Sequence, residues 1–519
     1  MMGADTSDGA EAGGETTDGG RAVAGGGDQL AEGETPEIGE LSAESRGVGG
    51  VSGIDGVAAP KVRGRRGGRE AYDVVIVGGG IVGLSLAREI LLRRPAASVL
   101  VVEKETHVAE HASGRNSGVL HAGFYYASDS LKARTTKRGN VLLREFIAEA
   151  GLPLRACGKV VVITGEEQLP ALHALAERAA ANGVDVEVID TGRLAELEPL
   201  ARTVGRALWS PTTAVADPRA VTQALADRVV AMGGQVALGT RAVAAGLGWV
   251  RLAHAAGARD VPPGRRGPDS AGMAAGPGAR AAGSRGDAAG VEGGAMPGHT
   301  PTDAATRTVS AGHIINAAGL YADRVANWFG FAEDYRMLPF KGLYWYGSWP
   351  VGRLTRHVYP VPDPANPFLG VHMTVTVDGR AKIGPTAIPA LWREDYGGVG
   401  GFDAREFAQI SAQYPAFLSS PHHKAATLIR SEVPKYVRRV LVGQASAMVP
   451  SVRPADFRTR GRVGVRAQMF HVPTRRLEMD FVVRGDEAST HVLNAVSPAW
   501  TSALAMAEHV VTGMESRGW

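Results

Sequence analysis

One cysteine, Cys157, stands in a chain of 519 residues. A single thiol excludes an internal disulfide and any cysteine-based metal cluster, so Cys157 reads as a packing residue. No run of about eighteen apolar residues occurs, and no transmembrane helix is expected. The net charge is +3, too small to mark a nucleic-acid partner. Two stretches, 1–70 and 251–307, almost lack large apolar side chains. Such segments cannot offset the entropy of ordering, and both read as disordered. The first is acidic to about residue 60 and then basic through Lys61, Arg63, Arg65, Arg66 and Arg69. A transit peptide is Arg-rich and acid-poor from its start; this tail begins the other way, so it carries no readable targeting signal. Its basic patch reads as a solvated linker, with peripheral contact to an anionic membrane surface as the alternative. The second stretch, rich in Gly, Ala, Arg and Pro, reads as a low-complexity excursion between two strands.

What remains is long enough for a large core and two or more domains. It is organised around Tyr72-Asp73-Val74-Val75-Ile76-Val77-Gly78-Gly79-Gly80-Ile81-Val82-Gly83. This is a buried strand, a glycine turn and the start of a helix. Gly78, Gly80 and Gly83 fill the G-x-G-x-x-G pattern of a dinucleotide site. In that pattern the first glycine allows the tight turn, the second lets backbone approach a pyrophosphate, and the third lets helix and strand pack closely. The helix N-terminus offers N–H groups and partial positive charge to the phosphates. A second apolar strand, 98–102, ends in Glu103, about twenty residues on, where an acid would accept from ribose hydroxyls. A glycine turn alone is weak evidence; strand, helix and terminal acid together supply the context that the motif requires.

The loop His111-Ala112-Ser113-Gly114-Arg115-Asn116-Ser117-Gly118-Val119-Leu120-His121-Ala122-Gly123 follows. Its small residues, hydroxyls and amide suit close approach to a flat ligand. A helix is expected over 131–149, a strand over 159–163, a helix over 166–182, and a helix opened by Pro218 and running to about 232. A strand at 235–238 is followed by Val243. The strand 312–319 returns the chain to the first glycine turn and ends in Ala318 and Gly319, which favours a flavin dinucleotide over a nicotinamide one. Beyond Met337, aromatics and prolines accompany short strands at 342–346, 369–377 and 382–385, an antiparallel sheet suited to walling a substrate pocket. Helical stretches follow at 403–414 and 431–448, then a loop at 464–468. A last helix opens at Pro498 and Ala499, where its N-terminus would stabilise negative charge on a reduced flavin.

These residues carry a family resemblance. The runs Ser113-Gly114-Arg115-Asn116-Ser117-Gly118-Val119-Leu120-His121-Ala122-Gly123-Phe124-Tyr125-Tyr126 and Ser130-Leu131-Lys132-Ala133 are part of it. So are 359–372, Gly464-Val465-Arg466-Ala467-Gln468 and Asn494-Ala495-Val496-Ser497-Pro498-Ala499. Through them the chain resembles the FAD-dependent L-2-hydroxyglutarate dehydrogenases (oxidases), among the D-amino-acid-oxidase-like flavoproteins. The match runs from about 72 to 512, apart from the 251–307 insertion. Arg115 stands where the family carries His, and Val496 and Trp500 replace a Pro and a smaller residue; Trp500 would narrow the flavin site. The resemblance implies an α/β fold: an FAD-binding Rossmann-like domain with an inserted antiparallel-sheet substrate domain. The expected division is a tail (1–70), FAD-binding segments (71–157, 308–336 and 461–519), mixed segments (158–250), the insertion (251–307) and a mainly substrate-domain stretch (337–460).

The implied reaction oxidises a secondary alcohol beside a carboxylate, L-2-hydroxyglutarate to 2-oxoglutarate, by hydride transfer to FAD. A base must take the hydroxyl proton; His372 is the first candidate and His121 the second. Arginine suits a carboxylate through its planar fork of donors, which points to Arg466, with Lys341 and Tyr359 as lesser candidates. Lys132 and Arg134 read as a solvated helix face. FAD would be held by Gly78, Gly80, Ile81, Val82, Gly83, Glu103, Lys104, Ser113, Asn116, Ser117, Gly118, Val243, Ala318, Gly319, Pro498 and Ala499; no metal is expected. The partners are a small dicarboxylate substrate and an electron acceptor: a quinone, a carrier protein or oxygen. The compartment stays open, mitochondrial in a eukaryote and cytoplasmic or inner-membrane-associated in a bacterium. The alternatives are a related flavoprotein acting on another small 2-hydroxy or amino acid, and a flavin-binding protein without turnover.

Overall fold

The computed structural model describes residues 64–255 and 306–519, apart from 67, 364, 365, 367 and 423. The strand Arg69–Val77 lies inside a nine-stranded sheet. Val99–Val102 and Thr306–Asn316 flank it, both parallel to it. The parallel core continues through Gln235–Ala237 on one side and Ser489–Val492 on the other. Residues 74–77 are all buried, and successive side chains take opposite faces. Val74 and Ile76 pack, with Val99, Val101 and Ile315, against the helices Ile81–Arg93, Pro218–Ala231 and Ala499–Glu515. Val75 and Val77, with Leu100 and Ile314, pack against Ala245, Val250 and Leu252. Those belong to the antiparallel strands Thr240–Gly246 and Trp249–His254. Cover on both faces is why the central strand is an unbroken apolar run rather than an alternating one.

Thr306–Asn316 works at both ends. Its first half pairs antiparallel with Trp249–His254, and its second half pairs parallel with Arg69–Val77. Residues 251–254, 306 and 307, expected inside the insertion, therefore belong to strands: backbone pairing runs on past the last large apolar side chain. Arg69, expected in the tail, opens the central strand, and Arg65–Arg66 pairs with its start. Residues 1–63 and 256–305 lie outside the described residues.

A second sheet of eight strands receives the chain twice. Lys159–Val162, Arg206–Ser210 and Glu187–Asp190 come from the first pass. His357–Pro360, His372–Val375, Ala381–Gly384, Trp345–Tyr346 and Thr459–Arg460 come from the second. Its pairings are antiparallel except where Lys159–Val162 meets His357–Pro360. Leu441, Val442 and Ala445 of the helix Arg438–Met448 cover one face, on Val160, Val358, Met373 and Ile383. The expected loop at 464–468 is a correction: Gly464–Arg466 is a strand, paired antiparallel with Phe340–Gly342. Three residues are too few to show a strand's alternation. Among the described residues no helix is long and apolar enough to cross a membrane.

Candidate active site

The glycine turn is built by exclusion. Gly78 holds φ +115°, where a side chain would be strained, and a Cβ there would sit 2.3 Å from Ala317 O. A Cβ on Gly83 would lie 2.0 Å from Gly78 O, so helix and strand touch at backbone distance. Gly80 is the residue before the helix and is free of such contact: its Cβ would meet only Ser113 Oγ, at 3.0 Å. That hydroxyl accepts the N–H of Ile81 at 2.9 Å and so caps the helix from another segment. Glu103 closes the turn, accepting the N–H of Gly79 at 2.9 Å and of Glu105 at 3.0 Å. Burial pushes its carboxyl above the ordinary carboxylate range. Asn116 braces the next loop, donating to Ser113 O at 2.9 Å and accepting from Gly118 N at 2.8 Å.

A cavity of about 570 Å³ opens beside this turn. Ile81, Ser113, Asn116 and Ser117 line one end, with Pro498 and Ala499 from the start of the last helix. That helix begins without a side-chain cap, so its positive end faces the cavity. His121, Tyr359, His372 and Arg466 line the remainder. His372 is buried, and its Nδ1 lies 2.8 Å from Gly370 O. A carbonyl only accepts, so Nδ1 carries the proton and Nε2 the lone pair. The imidazole stacks on Tyr359 at 3.8 Å between centroids, with 17° between the planes. Burial, with Lys159, Arg466 and Lys382 nearby, lowers His372 to about 3. The ring is therefore neutral at any ordinary working pH. His121 is also buried and pushed well below its usual value by burial and Lys159. Among the described residues its Nδ1 has no partner, and it is anchored through its backbone: its N–H donates to Thr501 Oγ1 at 3.1 Å and its carbonyl accepts from Asn140 Nδ2 at 3.1 Å. Arg466 donates to Thr386 O at 3.1 Å and lies over the Phe368 ring at 5.2 Å.

Residues 73–512 match the family model of the FAD-dependent oxidoreductases, DAO. The chain belongs to that family. It is 32% identical over 464 residues to the mitochondrial L-2-hydroxyglutarate dehydrogenase of Caenorhabditis elegans, covering 85% of this chain and 92% of that one. It is 32% identical over 450 residues to the L-2-hydroxyglutarate dehydrogenase of Salmonella houtenae, covering 86% and 93%. In three dimensions it is similar to the FAD-bound L-α-glycerophosphate oxidase of Mycoplasma pneumoniae. The TM-score is 0.59 at 20% identity, over 86% of this chain and 95% of that one. As an FAD-dependent oxidoreductase, the protein needs a small substrate and an electron acceptor.

The DAO-family cofactor fits the residues present. Ile81 at the start of the first helix, residues of the 112–117 loop and the uncapped helix at Pro498 converge on one cavity, and Gly80, next to Ile81, leaves the backbone there bare. Each oxygen of Glu103 keeps a lone pair beyond its backbone bond. Gly78, Gly83, Ala318 and Gly319 shape the turn from behind: Ala317 N donates to Val77 O at 2.9 Å, and Ala318 N to Asn316 Oδ1 at 3.1 Å. Val82, in the first turn of the helix after Gly80, and Gly118 stand beside the cavity wall without lining it. Other expected residues stand apart. Val243 sits at a bulge in Thr240–Gly246, 39% exposed and off the cavity. Lys104 is engaged by Glu105 and, at 2.8 Å, by Glu394. Lys341, expected at the substrate, is instead in a buried ion pair with Asp395 at 2.6 Å and does not line the cavity.

Two lysines were missed. Lys132, expected on a solvated face, is buried and lines the cavity, whereas Arg134 is exposed. Lys159 is fully buried, and among the described residues its Nζ has no hydrogen-bond partner. It sits between the rings of Tyr125 at 4.3 Å, Phe124 at 4.5 Å and Tyr359 at 4.8 Å, behind the His372 wall. Burial drives it well below its usual value. Cys157 is buried as expected, 3.2 Å from His357 Nε2. Val375 N donates to the other nitrogen of that ring at 3.1 Å, so His357 carries its proton toward sulfur and does not activate the thiol; burial raises Cys157 to about 11.

Proposed function

We propose that this chain oxidises L-2-hydroxyglutarate to 2-oxoglutarate. The observation that carries the reading is a neutral His372, with its lone pair fixed on Nε2, sharing a cavity with the Arg466 guanidinium. One group takes a hydroxyl proton, and the other receives the carboxylate beside the reacting carbon. The names of the relatives support the substrate, and the chain spans more than nine-tenths of their length.

Gly78, Gly80 and Gly83, Glu103, the 113–118 loop and the start of Ala499–Glu515 would hold FAD. When bound, it supplies the acceptor for the hydride that leaves the substrate carbon. His372 Nε2 accepts the hydroxyl proton as that hydride departs. A pKa near 3 suffices, because the hydroxyl of a carbon losing hydride becomes a far stronger acid than an alcohol. The stack on Tyr359 and the bond to Gly370 O fix the ring's plane and tautomer, so little reorganisation accompanies the transfer. Burial of the wall behind it excludes water.

The test is an anaerobic absorbance spectrum of the flavin-loaded protein, taken before and after each enantiomer of 2-hydroxyglutarate. Bleaching of the visible flavin band by the L form alone is expected. A bound flavin that neither form bleaches overturns the substrate, and bleaching by D alone reverses the stereochemistry.

A further inference from the structure

Among the described residues four cations line the cavity. Arg115 and Arg178 donate to the backbone carbonyls of Glu110 and Tyr125 respectively, whereas Arg466 and Lys132 face the cavity from separate walls. Arg466 lies on the strand Gly464–Arg466 and is among the charges that bear on His372. Lys132 comes from the first turn of the helix Leu131–Glu149, is 5% exposed, and is not among those charges. Its turn is held from outside. Asp480 accepts the N–H of Leu131 at 2.7 Å and of Lys132 at 2.9 Å, and Ser130 Oγ accepts that of Ala133 at 3.1 Å. Asp480 is thus committed to the helix N-terminus. Among the described residues the Lys132 ammonium has no ion pair and no hydrogen bond; Asp480 and Glu478 act on it only at a distance. The ring of Phe481 lies 5.5 Å away and that of Tyr126 6.0 Å. With Tyr126, Met479 and Trp500, Lys132 forms part of the cavity wall. Burial lowers it to about 8, which leaves it mostly protonated at neutral pH. A buried ammonium without an anion is unfavourable unless something completes it, and here the open side is the cavity.

We propose that Lys132 receives the substrate carboxylate remote from the reacting carbon, while Arg466 receives the adjacent one, so that Lys132 sets the preference for a diacid over a monoacid. The inference rests on the reading of the site as an oxidiser of a 2-hydroxy dicarboxylate. An ammonium suits this pole because a single charge on a flexible stem tolerates a carboxylate at the end of a methylene chain. Arginine suits the other pole, where orientation at the reacting carbon matters.

The test uses the flavin-loaded wild type, Lys132→Met and Lys132→Arg. The substrates are L-2-hydroxyglutarate and L-2-hydroxypentanoate, which has the same chain length without the far carboxylate. Calorimetric binding of glutarate, which lacks the hydroxyl, is measured alongside. Lys132→Met is expected to lose about 10- to 100-fold in kcat/KM on the diacid, little on the monoacid, and to bind glutarate weaker by a similar factor. Lys132→Arg, which keeps the charge, is expected to restore most of the preference and serves as the check that the helix turn survives substitution. An unchanged diacid-to-monoacid ratio in Lys132→Met overturns the assignment while leaving the reaction intact. Equal losses on both substrates overturn it too, since that is what a structural role gives. If the wild type turns over neither acid, the substrate reading fails; glutarate binding that still depends on Lys132 then keeps the diacid site, and binding that does not removes it.

Discussion

His121 and His372 line the same cavity, and both are held neutral by burial. What separates them is the second nitrogen. His372 has its tautomer fixed by Gly370 O and its plane fixed by Tyr359, whereas no ring nitrogen of His121 is anchored among the described residues. Replacing His372 by Gln is therefore expected to lower kcat/KM by about 10²–10⁴ at unchanged flavin content, the usual weight of a positioned base. His121→Gln is expected to lose less than about tenfold. Steady-state rates with the flavin absorbance as control make the comparison, and a larger loss in His121→Gln would move the role there. Sequence alone ranks His372 first, from its place on the sheet expected to cover the flavin, but gives no tautomer for either ring, because a tautomer depends on a carbonyl that only the folded backbone brings near. The lysines differ in the same respect. Lys132 and Arg134 look like one charged face, yet residues two apart on a helix point to opposite sides, and that spacing is the signal that separates them. Lys159 offered none. It opens an apolar strand, and it is enclosed only because Phe124, Tyr125 and Tyr359 arrive from elsewhere in the chain.

At the scale of elements, the strand, turn and helix start at 72–83 were legible, since each glycine answers a separate steric demand. Those demands are unequal, and substitution separates them. Gly83→Ala would drive a methyl into Gly78 O and is expected to cost about 3 kcal/mol or more, seen as a large fall in unfolding midpoint. Gly80→Ala meets only the Ser113 hydroxyl. It is expected to cost about 1 kcal/mol through that cap and to lose flavin while staying folded. Flavin content against thermal midpoint distinguishes the two; a Gly80→Ala protein with full flavin would show that backbone approach there is not needed. Helix Leu131–Glu149 was legible for a related reason: Ser130, its cap, is a local signal. The strand Gly464–Arg466 was not, because it exists through its pairing with Phe340–Gly342, more than a hundred residues earlier.

Among the described residues the two largest sheets draw their strands from distant stretches, and each encloses imidazoles. His313 and His491 lie in the parallel core and His357 in the antiparallel sheet. Burial lowers them to about 4, about 4 and about 3 respectively, with the Lys159 charge adding to it at His357. Between those values and the ordinary 6.5, the unfolded chain binds protons that the folded chain refuses. Unfolding then takes up protons, and stability falls as pH falls. Each group weighs up to about 1.4 kcal/mol per pH unit, so the three together give a steep acid limb beginning below about pH 6.5. Urea midpoints at about pH 7.5, 6 and 5, on both sides of that value, test this; a midpoint unchanged from about 7.5 to about 5 would refute it. Sheet membership at this scale was half legible. The return of the stretch read at 312–319 to the first strand was readable from its apolar run and glycine end, though not the strand's start at Thr306, whereas the meeting of Lys159–Val162 with His357–Pro360 had no counterpart in local pattern. One pairing has a use beyond catalysis. Ala253 stands opposite Thr306 at the open end of an antiparallel ladder, and paired strands lie about 5 Å apart. Whatever joins them departs and arrives at nearly the same point. Closure entropy grows only with the logarithm of length, about 0.6 kcal/mol per doubling. The pair is thus a port in the scaffold: cargo whose own termini lie close together can be spliced in there at a folding penalty almost indifferent to its size.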